Sequence, residues 1–369
     1  MESVLGLREP LSTLTSRKFR EAYKRKDLVF SETLLATIRS QKGVPFQLRY
    51  CPALAKKPAT TTTKTQKDST EKEKQPKKPK FNPFANPASE LLIAEILNKG
   101  EASHNLVLNK YPVIHNHFII STKANKPQTA VLEEDDLIMT YACLRAWTEQ
   151  QETATQTPRG RLFSFFNSGE HSGASQAHRH LQFLPVEDMA SSDDEKNGFE
   201  LLIDRMTASA HPTLPLYQDK SLPILHFATP LQPSLSAAEL HSRYMLLLRA
   251  ALASSRHPGR AFSNDDKAIN IESNGSTVFS YNLAMTTERM AICPRRQEGT
   301  SIPGAGPDSF VAINGTILGG TLMVKDEGEW DVLTQRQEDD SSAILDGLLS
   351  SLGYPLVSWP ASEEVSAAL

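Results

Sequence analysis

Asn167-Ser-Gly-Glu-His-Ser-Gly-Ala-Ser-Gln-Ala-His-Arg-His-Leu-Gln182 joins a loop of small residues to a run in which polar side chains fall at alternate positions. If residues 177–184 form a strand, its period of two sends His178, His180 and Gln182 to one face and Arg179, Leu181 and Phe183 to the other. The first face then lines a site. A neutral imidazole can attack a phosphorus centre near neutral pH and leave again, which divides one difficult transfer into two easier ones. One ring nitrogen must attack while the other donates a hydrogen bond, often to a backbone carbonyl, that fixes tautomer and orientation. Gly169, Ser172, Gly173 and Ser175 are small enough for backbone N–H groups and hydroxyls to approach phosphate oxygens, and Asn167 and Gln176 add neutral donors. The chain has no Gly-x-x-x-x-Gly-Lys-Ser/Thr pattern, so this loop is not a P-loop.

Outward from the motif, strand-like runs at 104–110, 117–121 and 161–166 are interrupted by a helix-like segment over 132–151. Its Leu137, Tyr141, Leu144 and Trp147 fall at helical spacing, and the acidic cluster Glu133–Asp136 suits the N-terminal end of the helix dipole. The second half repeats the plan. Ser236-Ala-Ala-Glu239 is a capping box opening a helix with Leu240, Tyr244, Leu247 and Ala251, followed by strands near 281–285, 290–293, 311–314 and 322–324. Asn314-Gly315 reads as a hairpin turn between 310–313 and 316–318. The pattern is that of an α+β fold with antiparallel sheets and flanking helices. No strong residue-level repeat links the halves, and the second has no His-x-His, so one active site is expected.

From Lys56 to Lys80 no aliphatic residue is larger than Ala59, and nine lysines make a cationic tract that cannot bury a core. This is read as a disordered insertion. Lys77-Lys-Pro-Lys80 also fits a nuclear-import signal, although a plain lysine-rich linker is the simpler reading. The net charge of −3 over 369 residues gives no electrostatic footprint for nucleic acid. Cys51, Cys143 and Cys293 are too dispersed for a disulfide framework, which points to a reducing compartment. No apolar run approaches the roughly 20 residues needed to span a bilayer. A cytoplasmic monomer without membrane or nucleic-acid partners is expected, with nuclear import left open.

The motif resembles that of the histidine-triad superfamily, specifically its transferase branch, in which Gln replaces the third His of His-x-His-x-His; here that position is Gln182. More narrowly the chain resembles the fungal-type diadenosine tetraphosphate phosphorylases, also called ATP adenylyltransferases. Five further segments carry the likeness: Phe46–Pro58, Asn82–Pro87, Leu106–Pro112 with His115–Phe118, Ser280–Asn282 with Pro294-Arg295, and Asn314–Lys325. The resemblance implies a HIT-like fold of two structurally related halves. It divides the chain into an N-terminal segment packing on the catalytic domain (1–55), the insertion (56–80), a catalytic domain (81–205), an ATP adenylyltransferase domain (206–335) and a C-terminal helix or tail (336–369).

By the same resemblance His180 is the nucleophile, forming a covalent AMP adduct that phosphate displaces. Diadenosine tetraphosphate and phosphate then give ATP and ADP, and the reverse reaction makes the dinucleotide. Gln182 would hold phosphoryl oxygens without titrating, and His178 would orient the site. Asn167, Gly173, Ala174, Ser175 and Gln176 match phosphate and ribose contacts. Lys57 matches a phosphate-binding lysine, Asn109 and Lys110 a ribose-side pair, and Asn314, Gly315, Thr316 and Lys325 a segment reaching back to the nucleotide. Thr321 stands where the family pattern has Met, beside the second base. A divalent cation such as magnesium would travel with the nucleotide, with no organic cofactor and no protein-held metal.

Other readings stay open at this point. His115 and His117 could join His178 and His180 in a tetrahedral zinc site. A GDP-sugar phosphorylase, a sulfate adenylyltransferase using ADP and a catalytically silent nucleotide-binding protein share the same motif or fold. Phe81, Phe84 and Leu108 are candidates for an apolar slot holding the base.

Overall fold

The alternation around His180 is realised as an inner strand of a ten-stranded antiparallel sheet. A computed structural model describes residues 5–53, 82–98, 100–149, 160–190, 198–272, 275–335 and 338–359. The insertion, with Lys57, and Phe81 lie outside the described residues. In chain order the first half comprises α1 (Leu11–Arg25), β1 (Leu34–Arg39), β2 (Pro45–Tyr50), β3 (Leu92–Asn98), β4 (Glu101–Leu108), β5 (Phe118–Thr122), α2 (Glu134–Glu149), β6 (Leu162–Ser168) and β7 (His180–Pro185). The second comprises β8 (Ser209–Ala210), β9 (Tyr217–Gln218), β10 (Phe227–Pro230), α3 (Ala237–Arg256), β11 (Ser280–Met285), β12 (Arg289–Arg295), β13 (Gly299–Thr300), β14 (Val311–Ala312), β15 (Thr321–Val324), α4 (Glu327–Thr334) and α5 (Glu338–Leu352).

The strand order β3-β4-β5-β7-β6-β11-β12-β10-β9-β8 contains the same five-strand arrangement twice, joined where β6 pairs with β11. Each half inserts its long helix between its third and fourth strands. Residue-level traces of the duplication, not found in the sequence reading, become visible once the halves are aligned by topology. Asn109-Lys110 precedes His117-Phe118 at the start of β5, and Asp219-Lys220 precedes His226-Phe227 at the start of β10. Asn109 Oδ1 accepts from Tyr111 N at 2.9 Å, and Asp219 Oδ1 accepts from Ser221 N at 2.8 Å. The halves diverge at the motif. Residues 169–179 link β6 to β7, whereas 286–288 suffice to link β11 to β12.

Two cores flank the sheet. Leu137, Tyr141, Leu144 and Trp147 of α2, with Leu240, Tyr244, Leu247 and Ala251 of α3, bury one stripe each against Phe166, Leu181, Phe183 and Leu283. Both halves of the capping box at Ser236 and Glu239 form. On the opposite face Phe163, Phe165, Leu184, Ala284 and Ala291 pack against a second layer built from β2, β15 and α5. The segment 1–55, expected to pack on the catalytic domain, divides. Helix α1 joins the helical core through Leu11, Leu14 and Phe19, while β2 runs parallel to β15 of the C-terminal half. Asn314-Gly315 does not make the expected hairpin. Asn314 instead caps a 3₁₀ turn over Gly315–Gly319, its side chain accepting from Thr316 N. Among the described residues no helix is long and apolar enough to cross a membrane.

Candidate active site

His180 opens β7 with its ring on the face opposite α2 and α3, because Gln182 pairs with Phe165 and the two side chains share that face. Its Nδ1 lies 2.8 Å from the His178 carbonyl oxygen, so Nδ1–H donates and the Nε2 lone pair is left for chemistry. The residue is only 3% exposed, and burial pushes its pKa down to about 4 against the opposing pull of that hydrogen bond.

Gln128, which no sequence pattern singled out, fixes this strand entrance. Its Oε1 accepts from His180 N at 2.8 Å, and its Nε2 donates to the carbonyls of Asn167 (2.8 Å) and His180 (3.1 Å). His178 donates through Nε2 to the Thr122 carbonyl at 2.7 Å, leaving Nδ1 to accept from the Asn82 amide at 2.9 Å. Phe84 lies over His180 with ring centroids 4.8 Å apart. Leu108, the other described candidate for a base slot, belongs to the helix-side core and does not face the imidazoles.

A relay not foreseen from the sequence orients Gln182. The Asn109 amide lies 3.0 Å from His117 Nδ1, and His117 Nε2 lies 3.0 Å from Gln182 Oε1. With Asn109 donating, His117 carries its proton on Nε2 and donates it to the Gln182 oxygen. The Gln182 NH₂ group is thereby the end turned toward the site. Asn109 thus acts in the relay, while Lys110 is exposed with its ammonium 5.8 Å from the Tyr111 ring centroid.

The motif loop is anchored by the second half. Asn167 Oδ1 accepts from Asn282 Nδ2 at 2.9 Å and from Gly315 N at 2.8 Å, and Asn282 Nδ2 also reaches the Ser172 carbonyl at 2.9 Å. Arg295, 2% exposed, braces Asn282 through a 2.6 Å bond and donates to the carbonyls of Ile313, Gln297 and Glu298. Burial lowers its pKa, since its acceptors are neutral. Gly173 has φ +77, and a Cβ there would lie 2.9 Å from Asn314 Cβ. A Cβ on Gly315 would lie 2.8 Å from Phe165. These glycines allow the loop and the 3₁₀ turn to touch. Among the described residues the N–H groups of Gly173, Ala174, Ser175 and Gln176 find no acceptor, and Ser175 is exposed. They form a ready set of donors for an anion.

Thr316 and Thr321 are buried behind this surface. The Thr316 hydroxyl donates to the Thr321 carbonyl at 3.0 Å, and Thr321 Oγ1 donates to Gln47 at 3.2 Å. Lys325 is exposed beyond the end of β15. On the far face Arg179 is bonded to Asp136 at 2.6 Å and Glu133 at 2.9 Å, while Asp136 also meets His104 at 3.1 Å. Burial raises the Asp136 carboxyl, but the His104 hydrogen bond and the Arg179 charge outweigh it and hold the group below its usual range. The acidic cluster expected to serve the helix dipole is therefore also the counter-charge that seats β7. The zinc arrangement does not form. His178 and His117 have both ring nitrogens engaged, and His115 stacks on Phe30 at 4.1 Å. Among the described residues no three His, Cys, Asp or Glu side chains gather as metal ligands.

Residues 7–197 match the family described as Ap4A phosphorylase N-terminal domain, and residues 220–355 match the ATP adenylyltransferase C-terminal domain. Diadenosine 5',5'''-P1,P4-tetraphosphate phosphorylase 2 of Saccharomyces cerevisiae is 28% identical over 325 residues, 85% of each chain. Protein APA1 of the same yeast is 26% identical over 352 residues, 94% of each chain. The crystal structure of yeast Ap4A phosphorylase Apa2 is similar with a TM-score of 0.70 at 25% identity, covering 95% of this chain and 99% of that one.

Proposed function

The chain belongs to the Ap4A phosphorylase and ATP adenylyltransferase family, and from that membership we propose that it moves the adenylyl group of diadenosine tetraphosphate onto phosphate through a covalent AMP on His180. The observation that carries the proposal is the His180 tautomer. Nδ1–H is committed to the His178 carbonyl, so Nε2 is the nucleophile. Nε2 attacks the α-phosphorus, the bond to the bridging oxygen breaks, and ATP leaves with that oxygen and its electron pair. A phosphate oxygen then attacks the same phosphorus, the P–N bond breaks, its electrons return to Nε2, and ADP leaves.

Neither step requires a proton on the ring to move. The adduct is a cation whose Nδ1–H rests on the His178 carbonyl, and burial that disfavours a protonated imidazole disfavours this cation as well. His180 is therefore a ready leaving group, which suits a reaction run in both directions. Gln182 donates its NH₂ to the phosphoryl oxygens, and the N–H groups of residues 173–176 receive the phosphate chain. Lys57 and Lys325 supply charge toward the phosphates, Lys110 serves the ribose side, and Thr316 and Thr321 support the turn at Gly315. A divalent cation in this scheme travels with the polyphosphate, where it would neutralise the phosphate chain.

The test is to incubate the protein with diadenosine tetraphosphate, with and without phosphate, and to separate the products. ATP plus ADP formed only with phosphate, and lost in His180→Gly, is the expected result. AMP plus ATP without phosphate would make the protein a hydrolase and overturn the proposal.

A further inference from the structure

We infer that Phe84 determines the acceptor: its ring, held against His180, keeps water from the adenylylated imidazole so that phosphate takes the AMP. The inference rests on the covalent-AMP reading above. A phosphoramidate is open to hydrolysis whenever water reaches its phosphorus in line, and water is far more abundant than phosphate. A site that transfers is therefore helped both by lacking a group that activates water and by excluding water itself.

The first condition is met by the side chains nearest the nucleophile. Gln182 cannot take a proton, and its oxygen is occupied by His117. Both nitrogens of His178 are engaged, one by Asn82 and one by the Thr122 carbonyl. The second condition falls to Phe84, which is 5% exposed. Its centroid lies 4.8 Å from the His180 ring at 33°, and 5.9 Å from His178 in an edge contact at 83°. It is not loosely placed. Asn82 Oδ1 accepts from the N–H groups of Phe84 (3.0 Å) and Ala85 (3.3 Å), closing a tight turn, while Asn82 Nδ2 donates to His178 at 2.9 Å. One side chain thus orients the first imidazole and presents the phenyl ring to the second.

The sheet lies behind His180, the phenyl ring covers one face of it, and the N–H groups of residues 173–176 flank the motif loop. Those donors favour an anion over neutral water. The apolar ring over His180 and the unpaired N–H donors of the motif loop together bias the second half-reaction toward phosphorolysis.

The experiment measures partition rather than rate. Full-length wild type, Phe84→Ala, Phe84→Leu and Asn82→Ala are incubated with diadenosine tetraphosphate and phosphate, and the ratio of AMP to ADP is read. Because it is a ratio, it does not depend on how much of each preparation is folded. Phe84→Ala should raise it at least about tenfold, Phe84→Leu should stay near wild type by restoring apolar bulk, and Asn82→Ala should fall between them. An unchanged ratio in Phe84→Ala, even with a lower total rate, would mean that the ring only packs, and would overturn the inference alone. A wild type that makes AMP without phosphate would instead remove the phosphorylase reading, and this inference with it.

Discussion

Replacing His180 with Asn separates the titration of one imidazole from every other acid-sensitive group in the fold. Burial holds the ring at about 4, whereas the same side chain in an unfolded chain titrates near ~6.5. Below the unfolded value the unfolded chain gains a proton that the native state refuses. The resulting penalty is absent well above about 6.5, grows as pH falls, and is complete below about 4. At pH 5 these values correspond to about 2 kcal/mol of stability lost relative to pH 8. Asn can still donate to the His178 carbonyl but cannot be protonated, so His180→Asn should lack this loss. His211 and His226 are also pushed down by burial, but they are present in both proteins and cancel in the difference. Urea unfolding of both proteins at both pH values measures the effect. A double difference below about 0.5 kcal/mol, the usual error of additivity, would refute the picture of a buried neutral nucleophile. The kinetic counterpart has the same sign: kcat/KM should lose activity near pH 4, not near the ordinary imidazole value.

Three further outcomes are expected. His117→Ala frees the Gln182 amide to rotate, so kcat should fall about 10- to 100-fold while KM for the dinucleotide changes little; steady-state kinetics decide, and a change confined to KM would argue against the relay. Gln128→Leu leaves the N–H of His180 and two carbonyls without their buried partner, and should cost about 2–4 kcal/mol in denaturant melts. Arg179→Met leaves buried Asp136 with His104 and the Glu133 N–H but without its guanidinium partner, and should cost about 3–5 kcal/mol at neutral pH; a loss within experimental error would mean that the pair contributes nothing.

The alternation at 178–183 predicted both faces of β7 because sheet geometry permits no compromise between them, and the 3.6-residue spacing in α2 and α3 was equally direct. What stayed hidden was non-local. Helix α5, with Leu345, Leu348, Leu349 and Leu352 buried, lies in the 336–369 stretch, where a helix or tail was expected only from the resemblance and its packing was not, because its apolar face acquires meaning only from the layer it meets. Asn314-Gly315 suits a hairpin and a cap equally well; the choice is made by Asn167, which binds the Gly315 N–H from the other half. Gln128, between Pro127 and Thr129, carries no periodic signal, and its role appears only when β6 and β7 are side by side. His117 was quoted as part of a likeness and as a possible zinc ligand, but the bond to Gln182 depends on strand register, which a spacing cannot supply.

The seam between β6 and β11 has a consequence for how the chain can be cut. Every residue of β6 is buried, and its pairing runs from Ser164 with Met285 to Ser168 with Tyr281. A fragment ending before α3 would expose this strand as a raw apolar edge, the kind of template on which a second copy docks and aggregation begins. The half without the histidine motif therefore serves as a built-in edge protector for the half that has it. Expressed alone, the motif-bearing fragment should self-associate; supplied in trans with the remainder, it should regain a single, closed partner.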